Sequence, residues 1–199
     1  MKSNICKIEK GTKDLEAILK ESEKVAIYNE FTHKQSLHLR LICEELDGML
    51  PELVGNFEGK LWIEVENDVC LVRASIELNS VTSKKKEQLI NVAKNKKNAA
   101  AVGIVGKIRS AMENFFLDYD ESDAAFMTSN FMDMHSSYDM SMDYAYYWNL
   151  CEYRNTVRNE EKKEEWDELE KSVIASVADD ITVGIKGNKA EITIMKKLA

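Results

Sequence analysis

Residues 60–78, KLWIEVENDVCLVRASIEL, decide the fold. Leu61, Ile63 and Val65 alternate with Trp62, Glu64 and Glu66, and Cys70, Val72, Ala74 and Ile76 alternate on the return. A period of two places each apolar set on one face of an extended strand. Between the runs stands Asn67-Asp68, and Asn and Asp are the side-chain-bearing residues that best tolerate the backbone of a two-residue hairpin turn. The stretch reads as a β-hairpin. A second one closes the chain, with Ile181, Val183 and Ile185, then Gly187-Asn188, then Ala190, Ile192 and Ile194.

The segment before the first hairpin has a different period. In residues 35–50, QSLHLRLICEELDGML, Leu37, Leu41, Ile42, Leu46, Met49 and Leu50 recur at spacings of three and four, which predicts a core helix brought to its end by Pro51 and Gly55. Glu44 and Asp47 are expected beside the apolar stripe, and Glu45 either there or at the lip of a pocket, because a buried unpaired carboxylate is costly. Upstream, 4–10 reads as a short edge strand, and 14–31 as an amphipathic helix with Thr12 or Asp14 near its cap. Downstream, 83–93 and 99–117 read as helices, and 145–178 as one long helix or two in tandem. Residues 118–142, rich in Asp, Ser and Met and without a sustained period, read as an insertion. The sum is a single α+β domain over 1–199, with a mixed or antiparallel sheet built from the hairpins and the first strand, and helices packed on one face.

Composition narrows the functions. A formal net charge of -8 argues against binding a nucleic-acid backbone, which depends on Lys and Arg neutralising phosphates. Cys6, Cys43, Cys70 and Cys151 form no C-x-x-C pair and read as reduced thiols. No run is apolar and long enough for a membrane span, and the first residues lack the apolar core of a signal peptide, so the expected location is cytoplasmic.

Several constellations carry chemistry of their own. Residues 118–123, DYDESD, open like a calcium loop but lack its Gly and its closing Glu, so a solvated acidic loop is the simpler reading. Met127, Met132, Met134, Met140 and Met142 with His135 offer soft ligands suited to copper(I), although Met-rich surfaces more often repack against partners. Residues 143–148, DYAYYW, form an aromatic patch fit for the core or for an interface. His33, His38 and His135 are too scattered for a zinc motif.

The stretch LICEELDGM at 41–49, and the close ADDITV at 178–183 followed by Lys196-Lys197-Leu198, resemble the GHKL ATP-binding fold of gyrase, histidine kinases and MutL, and within it the anti-sigma-factor serine-kinase branch. The likeness covers 7–77 and 166–198 in order and spacing. It implies a two-layer sandwich whose long helix carries L-x-x-E-E-x-x-x-N. On that pattern Glu45 is the catalytic carboxylate, and the Asn that ligates magnesium falls on Met49, whose thioether suits a hard cation poorly. The family's D-x-G-x-G falls on 77–81, ELNSV, with Glu77 in place of the adenine-reading Asp and Asn79 and Val81 in place of the glycines. The glycine-rich lid has no counterpart before the last helix; Gly103, Gly106 and Lys107 are its only substitute. The resemblance therefore implies a regulatory, anti-sigma-like pseudo-ATPase or pseudokinase acting through a protein partner such as a sigma factor or an anti-sigma antagonist, with no cofactor or with weakly bound ATP or ADP and magnesium. The net charge and the lack of an apolar span, rather than the resemblance, argue against a nucleic-acid or membrane partner, and a homodimer is compatible with the reading. The alternative is an active ATP-dependent serine/threonine kinase or ATPase with a rearranged site.

Overall fold

The computed structural model describes residues 1–9, 15–54, 57–77, 103–118, 145–186 and 189–198, with backbone alone at 113–118 and 145–147. The first hairpin forms as its alternation requires. β2 (Glu58–Glu66) and β3 (Val69–Glu77) pair antiparallel from Glu66↔Val69 to Glu58↔Glu77. Asn67 and Asp68 have φ of 47° and 62°, the double left-handed turn that matches the twist of the strands it joins. β1 (Cys6–Glu9) adds to the free edge of β2, and β6 (Lys189–Lys197) to the free edge of β3. β5 (Asp180–Lys186) pairs with β6, and β4 (Ala145–Asn149) with β5. The sheet therefore runs β1-β2-β3-β6-β5-β4, with every neighbouring pair antiparallel. The two hairpins share it through β3 and β6.

One face of the sheet is apolar. Leu61, Ile63, Val72, Ile76, Ile181, Val183, Ile192 and Ile194 are at most 1% exposed and belong to a single core cluster. Six described helices feed the same cluster, so they share that face: α1 (Leu15–Tyr28), α2 (His33–Val54), α3 (Gly103–Asp118), α4 (Leu150–Asn159), α5 (Lys163–Lys171) and α6 (Val173–Val177). The opposite face carries the polar half of the alternation. Arg73 stands 2.9 Å from Glu64 and 3.0 Å from Glu191, and Lys2 is 2.9 Å from Glu64 and 4.8 Å above the Trp62 ring. Burial works against the Glu64 charge, but Lys2, the Trp62 indole N–H and Arg73 outweigh it and hold the carboxyl below its ordinary range.

α2 is longer at both ends than its apolar period suggests. Thr32 and Gln35 make a reciprocal cap: Gln35 N–H donates to Thr32 Oγ1 at 3.3 Å, and Thr32 N–H to Gln35 Oε1 at 2.7 Å. Pro51 does not stop the helix. It removes one backbone donor near the end, while Leu50 and Leu53, both buried, hold the last turn against the core. The buried stripe is Leu39, Ile42, Cys43, Leu46, Met49, Leu50 and Leu53; Leu37, expected in it, is 46% exposed. Full burial of a side chain such as Leu46 contributes about 1.5–3 kcal/mol.

Residues 145–178 correct the sequence reading of one or two helices. The stretch begins as strand β4, because aromatic residues suit a pleated surface and β5 offers a free edge. Asn149 then ends the strand and starts α4: its backbone is extended and its side chain accepts from Glu152 N–H at 2.7 Å. Glu161, at φ 51°, breaks α4 from α5, and Ser172 closes α5 and caps α6. The expected helix at 83–93, the caps at Thr12 and Asp14, and the insertion beyond Asp118 lie outside the described residues.

Candidate functional site

The residues singled out by sequence fall in three places. On α2, Glu44 points outward as expected and meets Arg40 at 3.0 Å, which also reaches Glu23 at 3.6 Å. Glu45 is half-buried beside it and does not line the α1–α2 groove described below. One turn on, Met49 is 4% exposed and packed in the core. At the end of β3, Glu77 is exposed and 3.7 Å from Lys189 across the strand pair; Asn79 lies outside the described residues.

The third place is the start of α3, where the sequence offers Gly103, Gly106 and Lys107. Gly103 takes φ +78°, a conformation that glycine adopts without strain, and opens the helix. Its N–H donates to Glu168 Oε2 at 3.0 Å. The Lys107 ammonium lies 3.2 Å from Glu165 Oε1, and Tyr153 O–H donates to the other oxygen of Glu165 at 3.2 Å. Both carboxylates come from α5. Lys107 also sits 5.6 Å from the Tyr153 ring centre, and that ring is 5.9 Å from Trp148. The two groups that could draw a phosphate, a helix-opening N–H and an ammonium, are thus each held by a carboxylate of the chain itself.

Electrostatics follow from this closure. Burial disfavours the charged form of Glu165, but the hydrogen bond and charge of Lys107 prevail and keep its carboxyl below the usual range. Burial pushes the Tyr153 phenol up, and the adjacent Glu165 charge pushes it further. The cluster is a satisfied polar tie between α3, α4 and α5.

α3 also meets α2: the Arg109 guanidinium donates to the Glu52 carbonyl. Sequence reasoning named Gly103 and Lys107 but missed Glu168, 65 residues from Gly103, and Glu165, which joins Lys107 to Tyr153. A period cannot reveal such pairings. The exposed Ile27 and Tyr28 carried a legible signal, since they fall beside the Ile18, Ser22, Val25 stripe of α1.

No protein-family model matches the chain, and neither a curated protein nor a solved structure is significantly similar to it. Among the described residues, no group of three or more His, Cys, Asp or Glu is placed to hold a metal ion, and no helix is long and apolar enough to cross a membrane. The calcium-like stretch and the Met-rich stretch lie outside the described residues, apart from Asp118. Of the aromatic patch, Trp148 is half-buried against the core.

Proposed function

We propose that this chain is a GHKL-like regulatory protein of anti-sigma type that acts by binding another protein, with nucleotide binding weak or lost. The observation that carries the reading is a set of exposed apolar side chains in the last turn of α1 and the early turns of α2. Ile27 and Tyr28 are 79% and 73% exposed there, and Leu37 is 46% exposed. The N-terminal segment lies against the same part of the molecule, since Asn29 donates to Met1 Sδ at 3.1 Å. A groove of about 210 Å³ between α1 and α2 is lined by Ala26, Leu37, His33 and Arg40 among others. Apolar side chains held open to water on rigid helices are what an interface buries on docking.

The loss of nucleotide binding is supported by separate observations. Met49 stands in the core, where its side chain cannot reach a bound cation, and Gly103 and Lys107 are engaged by Glu168 and Glu165. Positioning and charge neutralisation supply most of phosphoryl-transfer catalysis, so their loss leaves little activity.

The test has two arms. Magnesium-dependent ATP hydrolysis is expected at background, unchanged by Glu45→Gln. The double variant Ile27→Ser, Tyr28→Ser is expected to keep its unfolding free energy within about 0.5 kcal/mol, as surface changes do, and to lose the partner recovered by cross-linking in cells. Turnover that Glu45→Gln abolishes overturns the reading in favour of the kinase or ATPase.

A further inference from the structure

The first turns of α2 have two working sides. His33, Ser36, Leu37 and Arg40 line the groove against α1. Gln35 and His38, three residues apart and so neighbours on the helix surface, belong to the other side, which meets the end of β6. Gln35 Nε2 donates to the Leu198 carbonyl, and Leu198 N–H donates in turn to the Asp68 carbonyl at 2.8 Å. The start of α2 is thereby tied to the end of β6 and, through it, to the turn of the first hairpin. His38 is half-buried at this junction.

The charges that act on the His38 imidazole are Lys196 on β6, Lys34 one turn earlier on α2, and Asp179 between α6 and β5. Asp179 is already engaged. Its Oδ2 lies 3.1 Å from Lys196 Nζ and accepts Lys197 N–H at 2.7 Å. The other elements packed on α2 direct their charges elsewhere: α6, VIASV, has no charged side chain, Glu23 of α1 reaches Arg40 on the groove side, and Arg109 of α3 meets Glu52 near the far end of the helix. Burial first, then the Lys196 and Lys34 ammoniums, disfavour the imidazolium; Asp179 opposes them and loses, so His38 lies below the ordinary histidine range.

We propose that His38 is a proton-operated catch on the α1–α2 docking surface: neutral, it lets the first turns of α2 lie on the end of β6, and protonated, it sets three cations against one carboxylate there and frees those turns, taking Leu37 out of the groove wall. The proposal rests on the protein-binding reading only for what the catch controls. Its sign follows from linkage. The unfolded segment takes up a proton near the ordinary histidine value, about pH 6.5, and the folded one only at lower pH, so the contact is at full strength above that value and weakens as the pH falls through it towards the folded value. Opening stays local, because the buried Leu39 and Ile42 hold the next turns of α2 in the core.

The experiment is amide hydrogen exchange of the full chain, followed by nitrogen-15 NMR at about pH 7.5 and about pH 5.5 and corrected for the intrinsic rate, with the His38 and His33 imidazoles titrated in the same samples. His38 is expected to titrate below the exposed His33, and the Ser36 and Leu37 amides to lose protection at the lower pH while Ile192 and Ile194 in the sheet keep theirs. His38→Gln is expected to abolish the pH-dependent loss, and Lys196→Gln to move the His38 titration towards that of His33. His38 titrating at or above His33, first-turn protection that ignores pH, or a loss that persists in His38→Gln overturns the proposal; if His38→Gln does not fold, the parent and Lys196→Gln decide it. Exchange is read without a partner, so ATP turnover abolished by Glu45→Gln defeats the regulatory reading and leaves this result standing. A cross-linked partner that Ile27→Ser with Tyr28→Ser loses, but that the parent holds equally at both pH values, upholds that reading and overturns the catch.

Discussion

Gly59 is a place where the sheet leaves little room, and replacing it by alanine tests the strand packing directly. Gly59 sits on β2 between Ile8 of β1 and Ile76 of β3. A Cβ there would stand 2.7 Å from the Ser75 carbonyl oxygen, 3.3 Å from Ile76 Cα and 3.3 Å from Ile8 Cγ1. Two of the three are backbone atoms of a strand paired on both edges, so neither moves without disturbing the β3–β6 ladder as well. Overpacking of this kind costs about 1–3 kcal/mol, and the stiffer unfolded chain of alanine returns about 0.4–1 kcal/mol. A net loss of about 1–2 kcal/mol lowers the melting temperature by roughly 2–8 °C for a chain of this size. Gly48 is the internal control. It is exposed on α2, and a Cβ there meets nothing within 4 Å, so Gly48→Ala should gain about 0.5–1 kcal/mol from helix propensity. Urea and thermal unfolding by circular dichroism read both variants. A Gly59→Ala protein as stable as the parent, or more so, refutes the close approach of β1, β2 and β3.

Two further outcomes follow from single residues. Asn149→Ala removes the cap on Glu152 N–H and should cost about 1 kcal/mol in urea unfolding, whereas Asn149→Asp keeps the acceptor and most of the stability; equal loss in both would mean that the cap does not hold α4. The cysteines should separate by burial, because the thiolate is the reactive form. Burial pushes the Cys70 thiol up to about 12 and the Cys43 thiol higher still, while Cys151 is exposed. A disulfide reagent at mild pH should therefore show a fast phase that Cys151→Ser removes, with Cys43 and Cys70 reacting only on unfolding, and fast labelling of either would contradict the packing of α2 on the sheet.

The sequence by itself determined the elements whose period is local and strong. The alternation around Asn67-Asp68 and around Gly187-Asn188 placed both hairpins, and the three-and-four spacing of Ile42, Leu46 and Leu50 placed the core helix over them. Tertiary structure decided what periodicity leaves open. Residues 145–149 carry an aromatic run whose state depends on whether a sheet edge is free beside it, and β5 supplies one. Leu37 has the spacing of a core residue, yet it is 46% exposed at the groove between α1 and α2, and Leu39 takes the buried place. The candidate site shows the limit most clearly. Gly103 and Lys107 read from sequence as groups that could hold a phosphate, but only the fold brings Glu168 and Glu165 onto them, since a charge pair between distant segments is set by how their helices pack and by no local pattern.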